Sequence, residues 1–426
     1  MIYLLYDILL FLAYVIYLPF YVIRGRFHPD ILTRAGFYKK EVFNALRAKD
    51  TVWVHAVSVG EARAAESLLR LIRSTWQDRR IAISTVTPTG YEIVKKFLKK
   101  DEVVFYAPLD ITFAVNMALH LVSPGLLVIM ETEIWPNLIR LAKKRGVPVV
   151  IVNGRISDRS FEKYKRFRFM FIETLKVIDL FCMQTKEAAD RIISLGGQKD
   201  RVKVTGNIKF DISADLKEPA FLGRLKESLR GSLLFIAGST HDGEEDGIVN
   251  IYKSLRKDFP NLRLMIAPRH LDRVDKIRRM IRLSGLEAIN LSTIAASEIV
   301  SSAQVLVVNT IGDLSVLYRL SDLSYVGGSL VPKGGHNPIE PALFGKPIIF
   351  GRFMDNFKEI RDIFIREKAA IEVDDFKGLE YELRRLLASS SERRVLGENA
   401  RKILDTNKGA AERTFAEVCK IGSHAV

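Results

Sequence analysis

The sequence predicts an α/β protein: two facing, doubly wound parallel-sheet (Rossmann-like) domains behind an N-terminal membrane-anchor helix. Three observations predict it. From residue 51 onward, short β-branched runs alternate with amphipathic stretches. The runs are apolar throughout, as in parallel strands covered on both faces. The stretch Pro219 to Gly231 then reads as a linker and entry helix, after which the alternation restarts. With 426 residues, 48% of them hydrophobic, the chain can bury two sizeable cores, and disorder is excluded.

Taken in order, Met1 to Ile23 holds 21 apolar or aromatic residues, broken only by Asp7 and Pro19. As a helix it would be roughly 35 Å long, enough to cross a bilayer. No basic start or small-residue cleavage site marks a signal peptide, so an uncleaved anchor is expected. Arg24, Arg26, Lys39 and Lys40 follow it, which places the rest of the chain on the cytoplasmic side. At ~100° per residue, Tyr3, Tyr6, Asp7, Tyr14, Tyr17 and Tyr21 share one arc. That stripe suits a helix lying at headgroup level or packed on protein; a plain spanning helix with a tolerated Asp is the other reading.

The first domain, 24–215, has candidate strands at Val52–Val57, Ile81–Val86, Val103–Ala107, Leu126–Met130, Val147–Val152, Leu180–Gln184 and Val202–Thr205. Helical patterns between them include Glu61–Ile72, Tyr91–Lys99, Pro136–Arg145 and Lys186–Leu195. The second, 216–426, has Leu233–Ala237, Leu262–Ala267, Val305–Val308, Leu323–Val326, Pro347–Phe350 and Ala370–Val373. The halves show no sequence repeat. In such folds ligands bind beyond the carboxyl ends of the strands, here in the cleft between the domains.

Cys182 and Cys419 are too few for a disulfide framework, and seven scattered His with no C-x-x-C give no structural zinc spacing. The net charge of +15 predicts anionic partners: nucleic acid, acidic lipid or a phosphorylated substrate. Composition does not choose among them.

The strand ends carry the chemistry. Ser58-Val59-Gly60-Glu61 follows the first strand and opens a helix; it also fits the S-x-x-E capping box. Thr87-Pro88-Thr89-Gly90 follows the second. Glu131-Thr132-Glu133 ends an apolar strand, where carboxylates are costly unless paired or used. In the second half, Gly238-Ser239-Thr240-His241 and Pro268-Arg269-His270 end successive strands. Lys333-Gly334-Gly335-His336-Asn337-Pro338-Ile339-Glu340 is a glycine-rich loop running into a helix start, suited to a phosphate. Glu340 there either accepts from a ribose hydroxyl or complements the helix dipole.

Five ordered motifs, Val54 to Glu61, Met130 to Pro136, Gly206 to Asp211, Ala267 to His270, and Val326 to Ser329 with Gly334 to Glu340, resemble those of the 3-deoxy-D-manno-octulosonic acid (Kdo) transferases of lipid A assembly. The resemblance runs from the anchor to near the C-terminus. It implies the GT-B glycosyltransferase fold and an inverting transfer of Kdo from CMP-Kdo to the lipid A precursor (lipid IVA). By position it implies Glu61 as general base, and Glu131 and Lys209 as stabilisers of the transition state. It places CMP on Pro268-Arg269, Gly312-Asp313-Leu314 and Asn337-Pro338-Ile339-Glu340. It implies no cofactor and no metal, no nucleic acid, and work at the cytoplasmic side of the inner membrane on an anionic lipid surface.

Other readings remain at this stage. Glu131-x-Glu133 would hold Mg²⁺ beside a diphosphate in a metal-dependent enzyme. A UDP-sugar transferase or epimerase shares the architecture. A non-enzymatic, membrane-tethered binder of anionic lipid or RNA would use the basic–aromatic run Lys163 to Phe169, but it leaves Glu61, Glu131 and Glu133 unexplained.

Overall fold

The computed structural model describes residues 50–211, 218–296, 303–310 and 312–422, the segment 30–38, and residues 3, 6–10, 12–14 and 16 of the N-terminal helix. The chain divides into two units, Met1–Ile212 with Asn407–Val426, and Ser213–Thr406.

The first unit is built on seven parallel strands: β1 (Thr51–His55), β2 (Ile81–Thr85), β3 (Val103–Tyr106), β4 (Pro124–Met130), β5 (Val149–Gly154), β6 (Leu180–Met183) and β7 (Val202–Val204), in the order β3-β2-β1-β4-β5-β6-β7. Successive side chains point to opposite faces, and each face has its own core. Trp53, Leu127, Ile129, Ile151 and Phe181 pack on one side. Val52, Val54, Leu126, Val128, Val150 and Cys182 pack on the other. Burial on both faces is why these strands read as unbroken apolar runs. Ser58, Thr87 and Thr185 each start the helix after a strand by accepting the N–H three residues on.

The second unit repeats the plan with β8 (Leu233–Thr240), β9 (Leu262–Pro268), β10 (Ala288–Asn290), β11 (Val305–Val307), β12 (Leu323–Val326), β13 (Ile348–Gly351) and β14 (Ile371–Val373), in the order β10-β11-β9-β8-β12-β13-β14. Leu264, Ile266, Val305, Val307 and Tyr325 fill one face, and Leu234, Ile236, Met265 and Leu306 the other. The edge strand β10 is absent from the sequence expectation. Three residues of Ala-Ile-Asn give no run to detect.

One finding corrects the sequence reading. The stretch from 407 on, expected in the second domain, belongs to the first unit. The helix Ala410–Gly422 sends Phe415 and Val418 into the core beneath β1 and β4. Its first turn is held by Asp211, whose two carboxylate oxygens accept from Gly409 N–H (2.9 Å) and Ala411 N–H (2.7 Å). The expected cut at 215/216 lies outside the described residues.

In the apolar N-terminal segment, polar side chains meet the first unit. Asp7, its one charge, accepts from Thr112 N–H (3.1 Å), Thr112 Oγ1 (2.5 Å) and Asn137 Nδ2 (2.7 Å). Tyr6 OH donates to Asp110 (3.0 Å), and the Arg140 guanidinium lies 4.5 Å from the Tyr3 ring centre. Ile8, Leu9, Leu12 and Ile16 are exposed. Tyr3, Tyr6 and Asp7 of the Tyr/Asp stripe thus pack on protein, as one of the two readings of that stripe expects, while Tyr14 is exposed. Among the described residues no helix is long and apolar enough to cross a membrane. Residues 17–23 and the flank Arg24, Arg26, Lys39 and Lys40 lie outside those described.

Candidate active site

In the first sheet the strand order reverses between β1 and β4, because β1 leads on to β2 at one side while β4 pairs with it at the other. The chain ends of these two strands flank the switch point, the usual position for a ligand site. Glu61 and Glu131 come from them.

Glu61 lies in the first turn of the helix Val59–Thr75 and is 5% exposed. Both readings of its motif hold at once. Ser58 Oγ accepts from Glu61 N–H (3.3 Å), and the Glu61 carboxyl reaches back to Val57 N–H (2.7 Å) and to Ser58 Oγ (2.8 Å). Burial, then the charge of Glu131, push its pKa up to about 8, against the Ser58 and Val57 hydrogen bonds that pull it down. Burial outweighs the capping interactions.

Glu131 leaves β4 with φ +55°, a left-handed conformation that a side chain rarely adopts. The turn brings its carboxylate to Lys209 Nζ at 2.6 Å and to Arg155 Nε at 3.4 Å. Lys209 sits on the single turn Ile208–Phe210. Asn153 Oδ1 accepts from Ile208 N–H (2.9 Å) and Asn207 Oδ1 from Lys209 N–H (3.0 Å). Ile208 and Phe210 are buried, which fixes the turn and projects Lys209. A Cβ placed on Gly60 would lie 3.7 Å from Lys209 Nζ, so Glu61, Glu131 and Lys209 do form one cluster.

Glu133 is engaged separately: it accepts from Trp135 Nε1 (2.9 Å), and burial raises its pKa. Each carboxylate of the proposed metal pair therefore already has its own protein donors. His55, in the first motif, is a packing residue. It is fully buried, linked through Nδ1 to Ser84 Oγ (2.8 Å), set edge-on to Trp135, and held neutral with its pKa lowered to about 3 by burial.

In the second unit, Pro268 ends β9 and Arg269, exposed, donates its N–H to Thr240 O at the end of β8 (2.9 Å). Gly312 has φ +92°, and Asp313 starts the short helix Leu314–Leu317. Asn337 Oδ1 accepts from Ile339 N–H (3.1 Å), closing the turn at Pro338. Ser315 Oγ donates to Glu340 Oε2 (2.7 Å), so the 312–314 turn and the 337–340 turn are joined. The helix behind Pro338 is one turn, Ile339–Ala342, so its dipole is small. Sequence reasoning left Arg155 out of the site; nothing in its spacing from Glu131 signals the ion pair.

The family described as "3-Deoxy-D-manno-octulosonic-acid transferase (kdotransferase)" matches residues 30–212. The chain is 34% identical over 394 residues to a 3-deoxy-D-manno-octulosonic acid transferase of Haemophilus influenzae, covering 91% of this chain and 90% of that one. The chain belongs to the Kdo transferase family. A second member, from Aquifex aeolicus, is 28% identical over 376 residues, covering 88% of this chain and 95% of its own. A bifunctional glycosyltransferase/methyltransferase of Fusobacterium nucleatum is 36% identical over 339 residues. Those residues are 78% of this Kdo transferase family member and 52% of that longer protein. Among solved structures, a putative UDP-N-acetylglucosamine 2-epimerase from Listeria monocytogenes superposes with a TM-score of 0.53 at 15% identity, covering 89% of this chain and 98% of that one. That likeness shows the fold, GT-B in class.

Proposed function

We propose that this Kdo transferase takes Kdo from CMP-Kdo and delivers it, with inversion, to the phosphorylated, acylated disaccharide that precedes lipid A. The observation that carries the reading is the state of Glu61. A carboxyl buried at a strand switch point, with its pKa near 8, is matched to taking a proton at cellular pH. The acceptor hydroxyl oxygen attacks the anomeric carbon of Kdo while its proton passes to Glu61. The bond from that carbon to the phosphate oxygen breaks, and its electron pair leaves on CMP. A single displacement inverts the centre. Lys209, fixed by Glu131, supplies positive charge at the reacting end, and Arg269 meets the leaving phosphate. No metal or other cofactor has a step in this scheme.

We place the reaction at the cytoplasmic face of the inner membrane. Support comes from the exposed Ile8, Leu9, Leu12 and Ile16 and from the surface run Lys163 to Phe169, where Phe167 and Phe169 are exposed among cations. Each basic residue near an anionic leaflet contributes about 1 kcal/mol.

The test combines the purified chain, CMP-Kdo and a tetra-acylated, bisphosphorylated glucosamine disaccharide, with products counted by mass and released CMP measured. Kdo-bearing lipid formed in excess EDTA supports the reading, and no CMP release overturns it. Deleting residues 1–23 should weaken binding to anionic vesicles and leave CMP binding intact.

A further inference from the structure

The second unit carries a histidine pair that the scheme above does not use. Its strand order reverses between β8 and β12, and the ends of both strands are tied to one buried carboxylate. Glu244, with no exposed surface, accepts from the N–H groups of His241 (2.9 Å), Gly328 (2.8 Å), Ser329 (3.1 Å) and Leu330 (3.1 Å) and from Tyr325 OH (2.6 Å). The register of β8 shifts between Gly238 and Thr240, and Ser239 sits at φ +56°. Such a bulge re-aims the residue that follows it, here His241.

His241 meets His336, from the loop after β12, Nε2 to Nε2 at 2.9 Å. The ring centres are 5.1 Å apart and the planes differ by 6°. The rings therefore lie almost in one plane, head to head. A Cβ on Gly328 would come within 3.1 Å of both rings, at a φ of +68°, so glycine is required there for the pair to meet.

Two like nitrogens at this distance hold one proton between them: one ring donates and the other accepts. The donor ring then keeps a bare Nδ1. Adding one proton at that atom gives an imidazolium that still donates to its partner. A second would set two N–H groups against each other, so the pair can take up one proton and no more. On His241 the surroundings disfavour the charged form. Burial lowers the pKa of His241 first; Glu244 opposes this, while His270 (ring centres 5.6 Å away), Lys333 and Arg269 add to it.

Resting on the CMP-sugar reading above, we propose that the His241–His336 pair is the proton-linked element of the leaving-group site, taking up one proton when a phosphate monoester dianion binds beside Arg269. In the donor the phosphate is a diester with one negative charge; as CMP it is a monoester with two at neutral pH. One added proton on the pair matches the one charge gained, which favours the departing group over the donor.

Calorimetry of the full chain with CMP at pH 7.5, in two buffers of different ionisation enthalpy, reads the proton directly. Free CMP is by then mostly dianionic. Wild type should take up most of one proton from buffer on binding CMP and none on binding cytidine. His336→Gln should lose that uptake and bind CMP roughly tenfold more weakly at pH 6.5, with a smaller difference at pH 9. His270→Gln should keep the uptake. CMP binding to wild type without proton uptake overturns the inference and leaves the CMP-sugar reading standing, as does loss of uptake in His270→Gln alone. No CMP binding by wild type overturns both. The wild-type measurement decides even if a variant fails to fold.

Discussion

Replacing Glu61 by Gln separates the two roles that the structure gives this residue. The amide oxygen still accepts from Val57 N–H and the side chain still reaches Ser58 Oγ, so the cap survives; the proton acceptor does not. The energetic signature follows from the acidity. Moving a carboxyl from its ordinary 4.5 to about 8 corresponds to at most ~5 kcal/mol at 1.36 kcal/mol per pH unit. Because the folded value is the higher one, the neutral form is the one the fold accommodates. Wild-type stability is therefore fully present below pH 4.5 and is lost as pH rises toward and through 8.

Gln carries no such penalty. The two proteins should match within ~1 kcal/mol at pH 5, and the variant should be the more stable by several kcal/mol at pH 9. Trp53, Trp76 and Trp135 are the chain's three tryptophans and all lie in the first unit. Urea unfolding followed by their fluorescence thus reports on the unit that holds Glu61. Transfer by the variant should fall roughly 10²- to 10⁴-fold, and wild-type turnover should rise with pH up to about 8. Parallel stability–pH curves for the two proteins would refute the argument for a buried, mostly neutral carboxyl. Near-normal transfer by a folded Gln variant would leave Glu61 a cap alone.

Removing Lys209 as Lys209→Met leaves Glu131 with the half-exposed Arg155; it should cost about 3 kcal/mol, measured by the same fluorescence unfolding. Adding Glu131→Gln to that variant should restore much of the stability and none of the transfer. Asp211→Ala strips the cap from Ala410–Gly422 and should cost ~0.5–2 kcal/mol, with faster proteolysis within 407–422. Asp7→Ala removes three hydrogen bonds to Thr112 and Asn137, so amide exchange at Thr112 should speed up by an order of magnitude or more while CMP binding is unchanged.

The strands were legible because parallel strands are buried on both faces, so each prints an apolar run. Helix Ala410–Gly422 was not assigned correctly because amphipathic spacing shows that a helix has a buried face without saying which core receives it. The information lies in Asp211, nearly two hundred residues upstream. Asp7 shows the same limit. The sequence marks it as a charge in an apolar segment, and its donors, Thr112 and Asn137, come together only in the fold. Pro338 announced a helix start correctly, yet the helix is one turn long, a length that tertiary packing decides.

The candidate site was partly legible for a related reason. Strand-end positions for Glu61 and Glu131 follow from the strand pattern, and the tie from Glu131 to Lys209 does not, since no spacing rule joins them. The pKa of Glu61 shows what is missing. Local rules name both opposing effects, a helix start and a cap that lower it, a neighbouring carboxylate and burial that raise it, but only the packed structure gives burial its weight.

Backbone strain falls where those long-range ties act. Among the described residues, Glu131, Asn153 and Ser239 are non-glycine residues in the left-handed region at or just beyond the ends of β4, β5 and β8. Each such residue costs of order 1–3 kcal/mol and persists only where its surroundings hold it. Glu131 is held by Lys209, Asn153 by its bond to Ile208 N–H, and the bulge at Ser239 by Glu244 through His241 N–H. For Glu131 and Asn153 the strained residue and the group holding it come from different strand exits; Glu244 follows the same strand as Ser239 but is itself tied to Gly328, Ser329 and Leu330 beyond β12. The strain therefore does not relax locally, and it sets the direction of a chemical group: the Glu131 carboxylate, the turn bearing Lys209, and the His241 ring. The strand frame supplies rigidity, and the few residues that break its regularity aim what the frame carries.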